Sequence, residues 1–265
     1  MDTRLEGKIA IVVGAGQTPG DKIGNGRAIS LQLAREGAEV ICVDRLPDRA
    51  EETAALIREE GLRAIAYVAD VSRAADCEKL VQHVYEQRAR IDILINNVGI
   101  GRGDAPPHAI EEVAWDKIMD VNLKAMTFTI RHALAVMREQ RGGAIVNISS
   151  LAALAGHHMV TYEVSKAAVN RLTTVVALAN AKYGVRCNAV MPGLIDTPMA
   201  IEGIAERTGQ SREALRADRD ARVPMGRMGS AWDIANAATF LCSDAARYIT
   251  GVVLPVDGGM AARVG

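Results

Sequence analysis

The chain has 265 residues, 49% of them apolar and 24% charged, a globular composition that excludes a disordered or collagen-like protein and leaves one or two domains open. Lysine and arginine number 31 against 32 aspartates and glutamates, a formal charge of −1, so no overall charge draws the chain to nucleic-acid phosphate or anionic lipid. Aromatic residues make up only 3%, too few for a base-stacking platform, and neither a nucleic-acid nor a membrane partner is expected.

Read in chain order, short apolar and β-branched runs alternate with segments of helical period. Residues 8–13 are predicted as a strand, followed by a glycine-rich stretch and a helix over 27–36. Strand 38–43 leads to helix 49–60, strand 63–68 to helix 74–89, and strand 91–95 to one long helix over 111–138. Strand 144–148, helix 160–183, strand 185–191, helix 231–243 and strand 252–256 complete the series. Strands this continuously apolar are covered on both faces. Their alternation with helices predicts an α/β protein, a single domain over 1–265 with a doubly wound parallel sheet of about seven strands and helices on both faces. Residues 198–228 break the rhythm and are thick with charge. So long a connection is expected to be a substrate lid, the alternative being a solvated surface helix.

The remaining signals are exclusions. Residues 1–8 lack the apolar stretch of a signal peptide, and no apolar run reaches the roughly 18 residues of a spanning helix. Cys42, Cys77, Cys187 and Cys242 are scattered with no metal-ligand spacing. Buried free thiols in a cytoplasmic protein without a metal are expected.

Between the first strand and the first helix stand Gly14, Gly16, Gly20, Gly24, Asn25 and Gly26. Glycines there let the backbone approach a pyrophosphate whose charge faces a helix N-terminus. The strict G-x-G-x-x-G pattern fails at Pro19, and no Gly-Lys-Ser/Thr follows at phosphate-loop distance. Asp44 ends the second strand, 18 residues after Gly26, where a carboxylate can accept from both hydroxyls of an adenosine ribose and repel a 2′-phosphate. NAD is therefore preferred over NADP, although Arg45 next to it could pair with the extra phosphate.

Tyr162 and Lys166 lie four apart at the start of a predicted helix and share a face. A phenol with a pKa near 10 is a poor acid–base group at neutral pH. A neighbouring ammonium favours the phenolate, which proton exchange with an alcohol requires. Ser149 and Ser150 end the fifth strand, where a hydroxyl can hold a substrate oxygen as charge develops on it.

Together these motifs resemble those of the short-chain dehydrogenase/reductase family over essentially the whole chain. The glycine loop is similar to the family's T-G-x-x-x-G-x-G, with Gly14, Gly24 and Gly26 as its glycines, and Asp70-Val71 resembles the adenine-contacting pair. Asn96-Asn97-Val98-Gly99 resembles N-N-A-G, Asn122 matches the catalytic-helix asparagine, and Tyr162-x-x-x-Lys166 the active-site pair. Met191-Pro192-Gly193 with Thr197 resembles the segment that meets the nicotinamide, and Val256-Asp257-Gly258-Gly259 the usual C-terminal ending. The chain departs from the pattern in about six extra glycine-loop residues, 17–22, and in Val13 and Val98. Strand alignment makes Ser150 the catalytic serine and spacing makes it Ser149; Ser150 is preferred.

The resemblance implies a Rossmann-type fold, a homotetramer, and hydride transfer between NAD(H) and a secondary alcohol or ketone. Tyr162 is then the acid–base group, Lys166 lowers its pKa and binds ribose hydroxyls, Ser150 orients the substrate oxygen, and Asn122 holds a relaying water. Gly14, Gly24, Asn25, Gly26, Asp44, Asp70, Val71, Asn97, Gly99, Tyr162, Lys166, Pro192, Gly193, Ile195 and Thr197 are the expected cofactor contacts. Ser149, His157, His158, Arg102 and Leu194 are candidates for the substrate side. A dinucleotide-binding sensor or structural protein without catalysis is the alternative.

Overall fold

A computed structural model describes residues 4–263 apart from 155, 157 and 158. Seven parallel strands form one sheet: β1 (Ile9–Val13), β2 (Glu39–Asp44), β3 (Ala64–Val68), β4 (Ile93–Asn96), β5 (Gly143–Ile148), β6 (Val185–Pro192) and β9 (Val253–Val256), in the order β3-β2-β1-β4-β5-β6-β9. The helices are α1 (Asn25–Arg35), α2 (Pro47–Glu59), α3 (Ala74–Arg88), α4 (Glu112–Met119), α5 (Ala125–Glu139), α6 (Val160–Asn180), α7 (Pro198–Thr208), α8 (Arg212–Arg222) and α9 (Ala231–Cys242). A short parallel pair, β7 (Ile195–Asp196) with β8 (Gly229–Ser230), flanks α7 and α8.

The burial pattern accounts for the apolar runs. In β1, Ala10 and Val12 face one core with α1 and α9, while Ile9, Ile11 and Val13 face the other with α3 and α5. Every position of β1 is therefore apolar, as in a sheet buried on both sides. Asn96 and Asn147 are buried polar residues of β4 and β5, bonded to Thr129 and Thr173 of the helices. Asn96 Nδ2 donates to Asn147 Oδ1 (2.9 Å), Thr129 Oγ1 to Asn96 Oδ1 (2.7 Å) and Asn147 Nδ2 to Thr173 Oγ1 (3.0 Å). A satisfied buried network of this kind pins β4 and β5 to α5 and α6.

The chain runs outward from β1 to β3 and returns to β4 on the opposite side. Open sheets of this topology hold ligands at the strands' C-terminal ends, across the point where the order reverses. The helix predicted over 111–138 is in fact two helices joined by a π-helical turn, Asp120–Lys124, and Asn122 occupies its middle. Residues 198–228, expected as a substrate lid or a solvated surface helix, contain α7 and α8, packed through Ile201, Leu215 and Met228. No helix among the described residues is long and apolar enough to cross a membrane.

Candidate active site

At the end of β1 the chain turns through Gly14 at φ +81°, a left-handed conformation costly for any residue with a Cβ. Gly26, in the first turn of α1, packs on this turn so closely that a Cβ would lie 1.8 Å from the Gly14 carbonyl oxygen. Asn97 Nδ2 donates to the same oxygen at 2.9 Å. These contacts bring the positive end of α1 against the C-terminal edge of the sheet. No side chain caps α1, and the buried Asn25 Oδ1 has no hydrogen-bond partner. An orphaned acceptor in a glycine-lined cradle fits a ligand carrying phosphates and hydroxyls.

The extra residues 17–22 are closed by Gln17, whose Oε1 accepts from the Gly24 N–H at 2.8 Å and whose Nε2 donates to the Lys22 carbonyl at 3.4 Å. Gly24, expected among the cofactor contacts, therefore has its N–H engaged within the loop. Asp44 ends β2 beside Gly16, where a Cβ would lie 2.6 Å from Asp44 Oδ2, and its Oδ1 accepts from the Leu46 N–H. Arg45 is exposed. Asp70 turns its carboxylate onto the backbone and hydroxyl of Ser72, and Val71 is buried beside it.

The chemical groups gather at the end of β5. Tyr162 is half-buried in the first turn of α6, and the Ser150 hydroxyl stands close enough to its phenol to favour the phenolate. Lys166, one turn on, is 2% exposed; its Nζ lies 5.7 Å from the Tyr162 ring centroid and donates to the Ile148 carbonyl at 2.9 Å. Gly99 leaves room for this amine, since a Cβ there would stand 3.0 Å from Nζ. Ser149 donates to the Lys166 carbonyl at 3.2 Å, which engages its hydroxyl with the backbone of α6.

Burial pushes the Tyr162 phenol above its ordinary value, and the Ser150 hydroxyl pulls only partly the other way. Burial also pulls the Lys166 amine down, to about 8. The Asn122 side chain bonds protein partners: Nδ2 donates to the Ile100 carbonyl (2.9 Å) and Ser165 Oγ (3.0 Å), and Oδ1 accepts from the Ile100 N–H (2.7 Å).

Beyond β6, Pro192 and Gly193 pass against Asp257, where a Cβ on Gly193 would lie 2.6 Å from the Asp257 Cβ. Ile195 and Thr197 are buried, with Thr197 as N-cap of α7. Leu194 packs into the small core of α7 and α8, so it supports that segment from within. Arg102 is exposed; His157 and His158 lie outside the described residues. Among the described residues no cluster of histidine, cysteine or acidic side chains could hold a metal.

Two features escaped the sequence reading. The glycine-loop extension is tied to 196–222: Arg216 pairs with Asp21 (2.8 Å) and with Asp196 (3.2 Å), and Gly20 packs on Pro198 and Glu202. Asp104 accepts hydrogen bonds from the backbone at the start of α6. Each contact spans tens of residues, and neither leaves a local signature.

A family model described as enoyl-(acyl carrier protein) reductase matches residues 21–261. The chain is 36% identical over 261 residues to 3-oxoacyl-[acyl-carrier-protein] reductase FabG of Thermotoga maritima, covering 97% of this chain and 99% of that one. It is 38% identical over 262 residues to L-rhamnose 1-dehydrogenase (NAD(P)(+)) of Azotobacter vinelandii, covering 96% of each. The crystal structure of levodione reductase superposes with a TM-score of 0.92 at 31% identity, covering 98% of this chain and 100% of that one. With the cradle, the Tyr162–Lys166 pair and the strand order in place, these likenesses establish that the chain belongs to the short-chain dehydrogenase/reductase family of NAD(P)-dependent oxidoreductases.

Proposed function

We propose that the protein interconverts a secondary alcohol and a ketone, with Tyr162 as general acid and base and NAD(H) as the preferred dinucleotide. The observation that carries this reading is the meeting of the Tyr162 phenol, the Ser150 hydroxyl and the Lys166 amine at the C-terminal edge of the sheet, beside the α1 cradle.

When bound, the nicotinamide supplies the hydride acceptor or donor. The chain's own groups handle the proton. In oxidation the Tyr162 oxygen takes the proton of the substrate hydroxyl, and in reduction it returns one to the forming alkoxide. Ser150 donates a hydrogen bond to the same substrate oxygen as its charge grows. Lys166, with a pKa of about 8, still carries its proton through most of its population at pH 7 and is the positive charge that supports a transient phenolate. Gly14, Asn25, Gly26 and Asp44 would hold the dinucleotide, with Asp70, Val71 and Asn97 toward the adenine side. Gly99, Pro192, Gly193, Ile195 and Thr197 would hold the nicotinamide end. The carboxylate of Asp44 beside Gly16 favours an unphosphorylated ribose over a 2′-phosphate.

Residues 198–228 are read as a lid over the substrate. The names of the relatives point to different substrates, a 3-oxoacyl-[acyl-carrier-protein] in one and L-rhamnose in another, so the class of secondary alcohols and ketones is as far as this reading goes. The exposed Val164, Val175 and Leu178 of α6 support burial of that face in a homotetramer, which a solution mass would test. Four buried unpaired thiols suit a cytoplasmic location.

The test is Tyr162→Phe. A panel of secondary alcohols with NAD and of ketones with NADH, followed by nicotinamide absorbance, should show wild-type turnover. The variant should lose roughly 10²–10⁴ of it while binding NADH as before. Tyr162→Phe turning over at the wild-type rate would overturn the assignment.

A further inference from the structure

We propose that Asp104 is a positioning residue for Tyr162, a carboxylate supplied from the loop after β4 that holds the first turn of α6 and so sets where the phenol stands. The inference rests on the acid–base role proposed for Tyr162.

The first turn of a helix leaves backbone N–H groups without helical acceptors, and a side chain at the N-cap ordinarily supplies one. The N-cap of α6 is Met159, which cannot. Asp104, 58 residues before Tyr162, fills the gap: its Oδ2 accepts from the Tyr162 N–H at 2.7 Å and its Oδ1 from the Thr161 N–H at 3.1 Å. The Ala105 N–H also donates to Oδ1 at 2.9 Å, and the Val160 N–H donates to the Ala105 carbonyl at 3.2 Å. The shortest of these bonds is made to the residue that carries the phenol. A carboxylate at this end of the helix is favoured by the helix dipole as well.

The loop that carries Asp104 is itself fixed. The Asp104 N–H donates to the Gly101 carbonyl, closing a turn through Gly103 at φ +91°. Gly101 packs against the tyrosine ring, since a Cβ there would stand 3.5 Å from Tyr162 Cδ2. Ile100 is held at both its N–H and its carbonyl by the Asn122 carboxamide in the π turn. Tyr162 is thus gripped by one short loop at its backbone, through Asp104, and at its ring, through Gly101. Release of the backbone grip would let the phenol drift relative to Ser150, and reacting groups are sensitive to such drift at the scale of an ångström.

The experiment compares Asp104→Ala and Asp104→Asn with wild type and Tyr162→Phe, using the best alcohol of the panel at saturating NAD, with NADH affinity measured separately by its fluorescence. Asp92→Ala serves as the matched control: Asp92 also accepts a backbone N–H (Ile9, 2.9 Å) and pairs with Arg90, but at the opposite edge of the sheet. Asp104→Ala should lose on the order of 10² in kcat at unchanged NADH affinity. Asp104→Asn, which keeps one acceptor oxygen, should fall between it and wild type. Asp92→Ala should lose stability and keep kcat. Should Asp104→Ala not fold, the intermediate kcat of Asp104→Asn at unchanged NADH affinity carries the test. Wild-type kcat in either Asp104 variant overturns the clamp, as does a parallel fall in kcat and NADH affinity. A wild type that turns over nothing, or a fully active Tyr162→Phe, sinks the underlying reading and the clamp with it. An inactive Tyr162→Phe beside an unimpaired Asp104→Ala sinks the clamp alone.

Discussion

The same substitution, glycine to alanine, should have opposite signs at two helical positions of this protein. At Gly26 the added methyl would sit 1.8 Å from the Gly14 carbonyl oxygen and 2.6 Å from Asn97 Nδ2. A carbon–oxygen contact needs more than 3 Å, so the Gly14 turn and α1 must separate by over an ångström. Forced repacking of this kind costs about 1–3 kcal/mol, and losing the Asn97–Gly14 hydrogen bond adds about 1 kcal/mol. Against this, alanine gains at most about 1 kcal/mol from helix propensity. The net is a loss of about 1–3 kcal/mol, together with lost NADH binding, because the displaced turn is the cradle itself. At Gly203, in α7, a Cβ meets nothing within 4 Å, and only the propensity gain of roughly 0.5–1 kcal/mol remains. Urea unfolding followed by circular dichroism reads both: the midpoint should fall for Gly26→Ala and rise for Gly203→Ala. A Gly26→Ala protein that unfolds at the wild-type midpoint and binds NADH normally would refute the close approach on which the cradle depends.

Lys166 gives a pH signature. Burial lowers its pKa from 10.5 to about 8, so between those values the unfolded chain binds the extra proton and stability attributable to this residue rises with pH. Lys166→Met should therefore be more stable than wild type at pH 7, by up to roughly 3 kcal/mol less about 1 kcal/mol for the bereft Ile148 carbonyl. That advantage should shrink as pH climbs from 8 toward 10.5, and urea midpoints across this range that keep a constant difference would refute it. The thiols give a chemical signature: burial pushes Cys42, Cys187 and Cys242 up to about 12 and Cys77 to about 11. The native protein at pH 8 should leave all four unreacted toward a thiol reagent that labels them on unfolding, and rapid labelling in the folded state would contradict the burial.

Much of this architecture is legible in the amino-acid order, and the reasons for the exceptions are physical. The strands stand out because both faces of the sheet are buried, which makes β1 apolar at every position. The Tyr162–Lys166 pairing is a matter of helical period alone. The break in the helix predicted over 111–138 is invisible locally, since it is enforced by bonds from Asn122 to Ile100, 22 residues earlier. The helices of the charged segment did carry signals: Pro198 at the first turn of α7, Gly209 after its end at φ +73°, and Ser211 as N-cap of α8 accepting from the Ala214 N–H. Those caps stand in a segment dominated by charge, where Leu215 is the one buried side chain of α8. The directions of the Tyr162 and Lys166 shifts could not be read from spacing, because they follow from burial, which only the packed fold determines.

The placement of the β4 loop explains how two functions separated in sequence share one frame. Asn97 fixes the glycine turn of the cradle through the Gly14 carbonyl. Gly99 makes room for the Lys166 amine, Ile100 is pinned to the π turn by Asn122, and Asp104 holds the backbone of Tyr162. Eight consecutive residues, 97–104, therefore touch the cradle, the amine and the phenol. The strand they extend, β4, lies at the centre of the sheet between β1 and β5, where it has least freedom to move. Hydride and proton transfer both demand that distances between the cradle and the phenol be kept to fractions of an ångström. Because both are referenced to the same short loop on the same central strand, a displacement of that strand carries them together and leaves their separation unchanged.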